Sequence, residues 1–186
     1  MISRRRFVGG AVGAWLVVPG SGAAQEGVFL QPEEAAHHLF PDGSAVSERT
    51  VAATPELQHR IRTILGGPPT VWEREYRLFT VRREETVVGF VAVVEEVGKH
   101  RPITFAVATT CDGHVHDVAV LAYREAYGGE VRQRRFLKQY ERKTLSDPLL
   151  PYRDIHNIAG ATLSVQATGR AVKKAIAVLM ASGYLG

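Results

Sequence analysis

The sequence predicts an α+β domain in which an antiparallel β-sheet of about four or more strands is packed by helices, including an amphipathic helix near the C-terminus. Three features favour this fold class. Segments rich in β-branched residues follow one another between residues 76 and 123. Asp112-Gly113, a strong hairpin signal, separates the last two of these segments. An apolar stripe with helical spacing then runs through residues 165–182.

The first 24 residues have the composition of an export signal. Paired arginines at positions 4–6 precede a short apolar run at 8–18, and small residues follow at 22–24. This order predicts a twin-arginine-type signal peptide over residues 1–24 and an extracytoplasmic location, in the periplasm or at the outer face of the cytoplasmic membrane. An ordinary secretory leader and a retained N-terminal anchor are the alternatives.

Composition restricts the classes of partner and cofactor. The chain is 45% hydrophobic and 23% charged, which supports a packed core. Residues 1–24 hold three arginines and no acid, so the remainder has 20 basic residues against 19 acidic ones. Because a nucleic-acid-binding domain needs a clustered excess of lysine and arginine, we expect no nucleic-acid partner. The single cysteine, Cys111, excludes a disulfide framework, a cysteine-based zinc cluster and c-type haem attachment, and we expect it to be a small apolar strand residue.

Residues 25–70 are predicted to form a helical preface to the sheet. Pro32 and the two acidic residues after it suit a first helical turn, and Pro-Asp-Gly at 41–43 ends that helix. A second short helix is expected from residue 54 or 55 through Leu65, where apolar residues have helical spacing and Gly-Gly-Pro-Pro follows. Both helices are expected to cover the sheet.

The sheet itself is expected within residues 71–186. The segments with the composition of strands are 76–82, 86–95, 103–110 and 114–123. Because short turns join them, consecutive strands form hairpins and the sheet is antiparallel. The His-x-His pair at 114–116 lacks an evident third ligand, so we expect a solvated strand face there rather than a metal site.

A glycine-containing segment after the last strand is one candidate binding site. Residues 123–131 have the sequence Tyr-Arg-Glu-Ala-Tyr-Gly-Gly-Glu-Val. Consecutive glycines let the backbone approach a flat ligand closely, and the aromatic and charged side chains would line its slot. A capped strand end with a surface ion pair is the alternative. Residues 131–140 follow, with Phe136 and Tyr140 at helical spacing.

A small-residue turn, Gly160-Ala161-Thr162, precedes the final helix. The apolar stripe of this helix comprises Val172, Ala175, Ile176 and Leu179, and the basic residues at other positions are Arg170, Lys173 and Lys174. The turn delivers a hydroxyl to the helix start, where unpaired N–H groups and the helix dipole favour a phosphate. The alternative is an ordinary cap, in which Thr162 or Ser164 accepts hydrogen bonds from those N–H groups.

Several segments occur in a recognisable order. They are Gly-Lys-His-x-Pro-Ile-Thr-Phe at 98–105, the Asp-Gly hairpin, the glycine-containing segment at 123–131, residues 136–143, and Ile-Ala-Gly-Ala-Thr-Leu-Ser at 158–164. Together they resemble the FMN-binding domain family, which includes flavin-carrying subunits of the sodium-pumping NADH:quinone reductase and of the Rnf complexes. The resemblance implies that residues 71–186 are an FMN-binding domain.

The resemblance also implies a covalent cofactor. In the family, the threonine of Gly-Ala-Thr carries FMN as a phosphoester through its side-chain oxygen, which implies this role for Thr162. A separate flavin transferase would take FMN from FAD and join it to Thr162. The family pattern has an acidic residue six positions before the threonine and Ser or Thr three before it, whereas this chain has His156 and Ala159. Non-covalent FMN and an empty site are the alternatives to attachment.

The expected cofactor contacts extend beyond Thr162. They are Gly160, Ala161, Leu163 and Ser164 around the turn, and Arg124, Glu125, Tyr127, Gly128, Gly129 and Phe136 after the sheet. We expect Tyr127 or Phe136 to stack on the flavin, and the two glycines to let the backbone approach it. Arg124 would stabilise negative charge on a reduced flavin, and Glu125 would orient that arginine or bond a ring N–H.

These features predict an exported, single-domain flavoprotein that relays electrons rather than a stand-alone enzyme. The sequence contains no cysteine cluster for iron–sulfur, no Cys-x-x-Cys-His for haem and no dinucleotide fingerprint, so we expect a redox partner protein, associated with the membrane. The alternatives are an extracytoplasmic flavin-dependent reductase acting on a small molecule and a cofactor-free binding module of the same fold.

Overall fold

The computed structural model describes residues 27–43 and 45–186. This part of the chain forms a six-stranded antiparallel sheet accompanied by four α-helices. The predicted α+β class is therefore confirmed. The predicted signal peptide over residues 1–24 lies outside the described residues. In the described part, no helix combines the length and the apolar character needed to cross a membrane.

Ten elements follow one another along the described chain. In order they are β1 (Gly27–Val28), α1 (Pro32–Leu39), β2 (Ala45–Ala52), α2 (Pro55–Leu65), β3 (Glu75–Arg83), β4 (Thr86–Val97), β5 (Pro102–Thr109), β6 (Val115–Tyr123), α3 (Arg134–Leu137) and α4 (Thr162–Ala181). Short 3-10 turns, Gly129–Arg132 and Lys138–Tyr140, flank α3. The strand order across the sheet is β1-β6-β5-β4-β3-β2. The four predicted strands, the two predicted preface helices and the C-terminal helix are therefore confirmed.

Two strands were not predicted, and both lie in the preface. β2 pairs with β3 along its whole length, from Ala45 opposite Arg82 to Ala52 opposite Glu75. Its central residues are exposed, and its two partly buried valines, Val46 and Val51, pack into different cores. An edge strand with apolar residues on opposite faces shows no simple alternation, which explains why the pattern did not reveal it.

The sheet has a packed core on each face. α4, with α2 beside it, covers one face, where Leu78 and Phe105 are fully buried. α1 covers the other face, where Phe79 is buried. Leu78 and Phe79 are adjacent in β3 and point to opposite cores, as the pleat of a strand requires. Fully burying side chains of this kind stabilises the fold by about 1.5–3 kcal/mol each.

α2 illustrates how local sequence sets an element's limits. Thr54 is its N-cap, and the side-chain Oγ1 accepts a hydrogen bond from the Leu57 N–H (3.3 Å). Pro55 follows in the first turn, where its missing N–H is not needed. Gly66 ends the helix in the left-handed conformation at φ +73°.

Lys174, in the middle of α4, is fully buried although the sequence places it outside the apolar stripe. Its Nζ donates hydrogen bonds to the carbonyl oxygens of Val71 (2.7 Å) and Glu95 (2.8 Å). The same atom lies 2.7 Å from Glu73 Oε2 in an ion pair that lacks hydrogen-bond geometry. The burial of this ammonium group is therefore balanced by two carbonyls and a carboxylate.

Arg170, one turn earlier in α4, makes a second connection to β4. Its Nε donates to Glu96 Oε2 (3.1 Å), and its Nη2 donates to the Val97 carbonyl (2.6 Å). Glu96 is fully buried, and its Oε1 lies 3.8 Å from Lys174 Nζ. Arg170 and Lys174 thus fix the middle of α4 to the end of β4.

The prediction for Cys111 is wrong. β5 ends at Thr109, and Cys111 is exposed in the turn that leads to β6. Its Sγ lies 3.4 Å from the Val87 carbonyl oxygen. The Asp112-Gly113 hairpin signal was correct, but it draws Cys111 into the turn rather than into the strand.

Candidate functional site

A cavity of about 460 Å³ lies where the start of α4 faces the β4–β5 connection and the residues after β6. Its lining residues are Lys99, His100, Glu125, Ala126, Tyr127, Gly160, Ala161, Thr162, Leu163 and Ser164. Its volume lies within the range of small-molecule and cofactor sites, about 300–1,000 Å³. The structure therefore brings the Gly-Ala-Thr turn and part of the 123–131 segment to one site.

The start of α4 leaves backbone donors available to this cavity. Gly160 takes a left-handed conformation (φ +78°), and the Ala161 N–H donates to the Ile158 carbonyl (2.9 Å), which closes the turn. Ala161 is the N-cap, and within the described part of the chain no side chain caps the helix. The N–H groups of Thr162, Leu163 and Ser164 belong to the first turn and have no intrahelical acceptor.

The alternative interpretation, in which Thr162 or Ser164 caps the helix, is therefore not what the structure shows. Thr162 is the first helical residue rather than the N-cap, so its side chain lies beyond the capping position. Ser164 is buried, and its Oγ lies 2.9 Å from the Tyr123 hydroxyl. The first turn, Thr162-Leu163-Ser164, also contains no acidic residue, so no carboxylate of this turn offsets the positive end of the helix dipole.

Thr162 lines the cavity and is partly buried. Its Oγ1 accepts a hydrogen bond from Asn157 Nδ2 (2.9 Å). Asn157 Nδ2 also donates to the Tyr152 hydroxyl (2.6 Å). Neither Asn157 nor Tyr152 was predicted as a site residue, because both belong to an irregular connector with no pattern that would show where their side chains point.

Tyr123 connects the end of β6 with the start of α4. Its ring is fully buried, and its hydroxyl donates to the Tyr127 carbonyl and lies beside Ser164 Oγ. Burial raises the pKa of the Tyr123 hydroxyl, so it remains a proton donor at neutral pH. Gly128, at φ +84°, leaves space for this contact, since a Cβ there would lie 2.7 Å from Ser164 Oγ. Gly128 thus permits close packing behind the cavity.

Glu125 orients the wall of the cavity that lies opposite the start of α4. Its Oε1 accepts hydrogen bonds from the backbone N–H groups of His100 (2.5 Å) and Arg101 (2.9 Å). Burial alone raises the pKa of Glu125, but the N–H groups of Arg101, His100 and Lys99 outweigh it and hold the pKa below its ordinary value. Glu125 is thus a carboxylate at neutral pH, and it orients the 99–101 loop rather than Arg124.

Lys99 and His100 are exposed cavity residues that were not proposed from sequence. They lie in the Gly-Lys-His segment that contributed to the family resemblance, so a signal was present. Their basic side chains, together with the uncapped start of α4, make this part of the cavity suited to an anion. Tyr127, whose side chain is 72% exposed, supplies an aromatic surface at the same cavity.

The structure does not bring Arg124 and Phe136 to the cavity lining. Arg124 Nη1 donates to the Pro102 carbonyl (3.2 Å) and to Thr104 Oγ1 (3.0 Å), along the β5 strand. Phe136 is buried, packs edge-on against Tyr140 at a ring distance of 5.8 Å, and lines a separate groove of about 260 Å³. Gly129 is buried in the 3-10 turn that follows Gly128.

The connector before the turn is held by Asp154. Burial alone raises the pKa of Asp154, but the N–H groups of Leu150 and Leu149 and the Lys143 ammonium outweigh it and lower the pKa. Lys143 Nζ lies 3.1 Å from Asp154 Oδ2. Asp154 therefore stabilises the connector.

His156 and Ala159, the two departures from the family pattern, are both exposed.

The donors present fit a phosphate-bearing aromatic cofactor. First-turn N–H groups and Lys99 suit the phosphate, the Thr162 hydroxyl lies beside them, and Tyr127 suits a planar ring. Among residues 27–43 and 45–186, no group of three or more His, Cys, Asp or Glu is placed to hold a metal ion.

Comparison with known proteins agrees with this geometry. Residues 98–177, which include every residue lining the cavity, match the family model described as FMN-binding domain. The crystal structure of Shewanella oneidensis NqrC is similar in fold, with a TM-score of 0.54 at 17% sequence identity, over 78% of this chain and 84% of that chain. No curated protein matches the sequence. Residues 98–177 are therefore similar to FMN-binding domains, and the fold of the chain is similar to that of NqrC.

Proposed function

We propose that this chain is an exported flavoprotein that carries FMN as a phosphoester on Thr162 and relays electrons between proteins. The observation that carries the proposal is that Thr162, at the uncapped start of α4, lines a cavity within the residues that match the FMN-binding domain model. FMN, when bound, supplies one- and two-electron transfer chemistry. The remaining chemistry belongs to residues of this chain.

The residues around Thr162 are suited to hold a phosphate monoester or diester. The N–H groups of Thr162, Leu163 and Ser164 donate toward the anion, and the helix dipole adds a favourable charge. Lys99 at the opposite wall contributes a full positive charge. In the attachment reaction, the Thr162 oxygen bonds to the flavin-side phosphorus of FAD, the phosphoanhydride P–O bond breaks, AMP leaves, and the hydroxyl proton passes to the flavin transferase.

The flavin ring is expected to lie toward Tyr127 and Leu163. Both side chains are exposed, at 72% and 45%, and both line the cavity. Large exposed apolar side chains at a cavity mouth are the usual sign of a ligand or partner surface. Glu125 would keep the 99–101 loop against the ring edge through its backbone hydrogen bonds. We place Arg124 and Phe136 outside the direct contacts.

A relay role follows from the limited chemistry that the chain supplies. One cysteine cannot ligate an iron–sulfur cluster, and the sequence has no dinucleotide fingerprint. Electrons would therefore enter from and leave to other proteins, of which a membrane-associated redox partner is the simplest. Export by the twin-arginine route to the outer face of the cytoplasmic membrane is part of this proposal. A covalent link suits that location, because a dissociated cofactor could not readily be replaced there.

Intact-mass measurement tests the attachment. The full chain is expressed with a flavin transferase, as wild type, Thr162→Ala and Thr162→Ser. We expect the wild type to gain the mass of one FMN moiety, the alanine variant to gain none and the serine variant to be modified more slowly. Thr63→Ala, on the exposed side of α2, is the matched control and should be modified like the wild type.

Two results would contradict the proposal. An unmodified wild type, or an FMN adduct on the alanine variant, would remove Thr162 as the attachment site. Steady turnover of a small molecule by the loaded protein with an artificial electron donor would favour a reductase over a relay.

A further inference from the structure

The side chain of Asn157 is the hydrogen-bond partner of the candidate attachment atom. Its Nδ2 lies 2.9 Å from Thr162 Oγ1 and 2.6 Å from the Tyr152 hydroxyl oxygen. An amide nitrogen has two hydrogens, so both are used in these two bonds. Asn157 therefore bridges the connector and the first residue of α4.

In the bond between Asn157 and Thr162, the amide is the donor and the hydroxyl is the acceptor, and this direction affects the chemistry of Thr162. A hydroxyl that accepts a hydrogen bond from Nδ2 keeps its own hydrogen and its second lone pair free to point elsewhere. Thr162 also lines the cavity, where a phosphorus atom would be attacked. An amide is also neutral, so it adds no negative charge beside an incoming diphosphate.

The environment of the Asn157 amide oxygen is evidence that this side chain positions Thr162 rather than merely packing in the connector. Asn157 Oδ1 is buried and has no hydrogen-bond partner within the described residues. A buried acceptor without a partner carries a desolvation cost, and such groups in a folded protein call for an explanation. A connector selected for stability alone would use an apolar residue or satisfy both amide atoms. Asn157 is instead arranged so that the donor end faces the two hydroxyls.

We propose that Asn157 is the positioning residue for the modification of Thr162. It holds Oγ1 toward the cavity with the hydroxyl proton outward, so that the transferase removes the proton as the P–O bond to the flavin-side phosphorus forms and AMP leaves. This inference rests on the proposed attachment of FMN to Thr162. Tyr152 supports Asn157 from the other side, but its side chain is 81% exposed, and water can replace its hydroxyl.

The test measures the rate of attachment by intact mass, with purified full-length protein, a flavin transferase, FAD and Mg²⁺. Asn157→Leu removes the donor and keeps the approximate shape. We expect its kcat to fall about ten- to hundredfold at an unchanged KM for the acceptor protein, as for a displaced nucleophile. Gln139→Leu is the matched control: Gln139 is also an amide of this region, and its Oε1 accepts the His156 N–H (2.7 Å) without contacting Thr162. It should be modified at the wild-type rate.

Asn157→Asp provides a second measurement if the leucine variant does not fold. A carboxylate cannot donate to Oγ1 and would instead accept the Thr162 proton, so we expect a similar loss of kcat with a Tm close to that of the wild type. Tyr152→Phe should lose no more than about threefold, because an exposed hydroxyl is replaced by water.

The outcomes separate this inference from the proposed function. If the wild type is not modified at all, the proposed function fails. If the wild type is modified and either Asn157 variant reaches the wild-type kcat, or if Gln139→Leu is equally slow, the positioning role is overturned while attachment to Thr162 stands.

Discussion

The start and the middle of α4 differ in whether their polar groups have partners. At its start, Thr162 follows an exposed turn, and within the described chain no side-chain cap is present. In its middle, Lys174 is fully buried and its ammonium group is surrounded by two carbonyls and a carboxylate. One end keeps its polar groups available, whereas the other holds its polar groups in buried contacts. The uncapped first turn of α4 is therefore held in place by the contacts that the middle of the helix makes.

The middle of α4 also contacts the strand that leads to the opposite cavity wall. Arg170 and Lys174 bond to Val97 and Glu95 near the end of β4. The chain then continues directly into the loop that contains Lys99, a cavity residue. These contacts thus connect α4 to the end of the strand from which the loop begins. Replacing these contacts should affect stability first and the site second.

The largest effect is expected from Lys174→Met. The change leaves the Glu73 carboxylate without its cation and leaves Glu96 with Arg170 alone. Breaking a buried ion pair from one side costs about 3–5 kcal/mol. Denaturant unfolding followed by circular dichroism measures the loss. Lys173→Met, the adjacent but partly exposed lysine, is the control and should change the free energy of unfolding by less than about 0.5 kcal/mol. Equal losses in the two variants would show that the burial of Lys174 is not the source of the effect.

Glycine substitutions compare the body of α4 with the turn that precedes it. At Gly169, in the body of α4, an added Cβ would lie 2.1 Å from the Leu149 carbonyl oxygen, so the backbone must move. Gly169→Ala should destabilise by about 3 kcal/mol, as overpacking does. At Gly160, in the turn, an added Cβ meets no described atom within 4 Å, and only the φ of +78° opposes it. Gly160→Ala should cost about 1 kcal/mol. Thermal unfolding of both variants checks the order, and the reverse order would contradict the comparison.

Acid should weaken the connector that leads to the turn. The pKa of Asp154 is lowered in the folded protein, so its stabilising effect is complete above the unfolded value of 3.8 and is lost as pH falls through the lower folded pKa. Asp154→Asn should cost about 1.5 kcal/mol at pH 7, as for a hydrogen bond to a charged group. The difference between wild type and variant should stay constant from pH 7 to pH 5 and shrink below pH 4. A difference that grows in acid would contradict this assignment.

The sequence was sufficient for the elements with a strong local pattern. β4 contains a long β-branched run, β5 is rich in β-branched and aromatic residues, and α4 has a regular apolar stripe. Asp112-Gly113 identified the hairpin between β5 and β6. β2 was missed because its stability comes from pairing with β3, a contact between distant parts of the chain that leaves no local period.

The candidate site likewise has residues that could be predicted from the sequence and residues that could not. Gly160, Ala161, Thr162, Leu163 and Ser164 are contiguous, so the turn could be predicted as a unit and lines the cavity. The direction of a side chain after a strand could not be predicted. Arg124 turns toward β5, whereas Glu125, the next residue, reaches the 99–101 loop. Contacts of this kind, like the bond from Asn157, depend on the register of elements that only the folded chain establishes.

The cavity has a consequence for how the protein is made. Its walls come from residues 99–100, 125–127 and 160–164, and they meet after β4, β5 and β6 have paired and α4 has docked on them. Such non-local assembly is a late event in folding. A partly folded chain would present the Thr162 hydroxyl on a disordered turn, without Lys99 or Glu125 opposite. For an enzyme that recognises the assembled cavity, modification of Thr162 would mark the molecules that have finished folding.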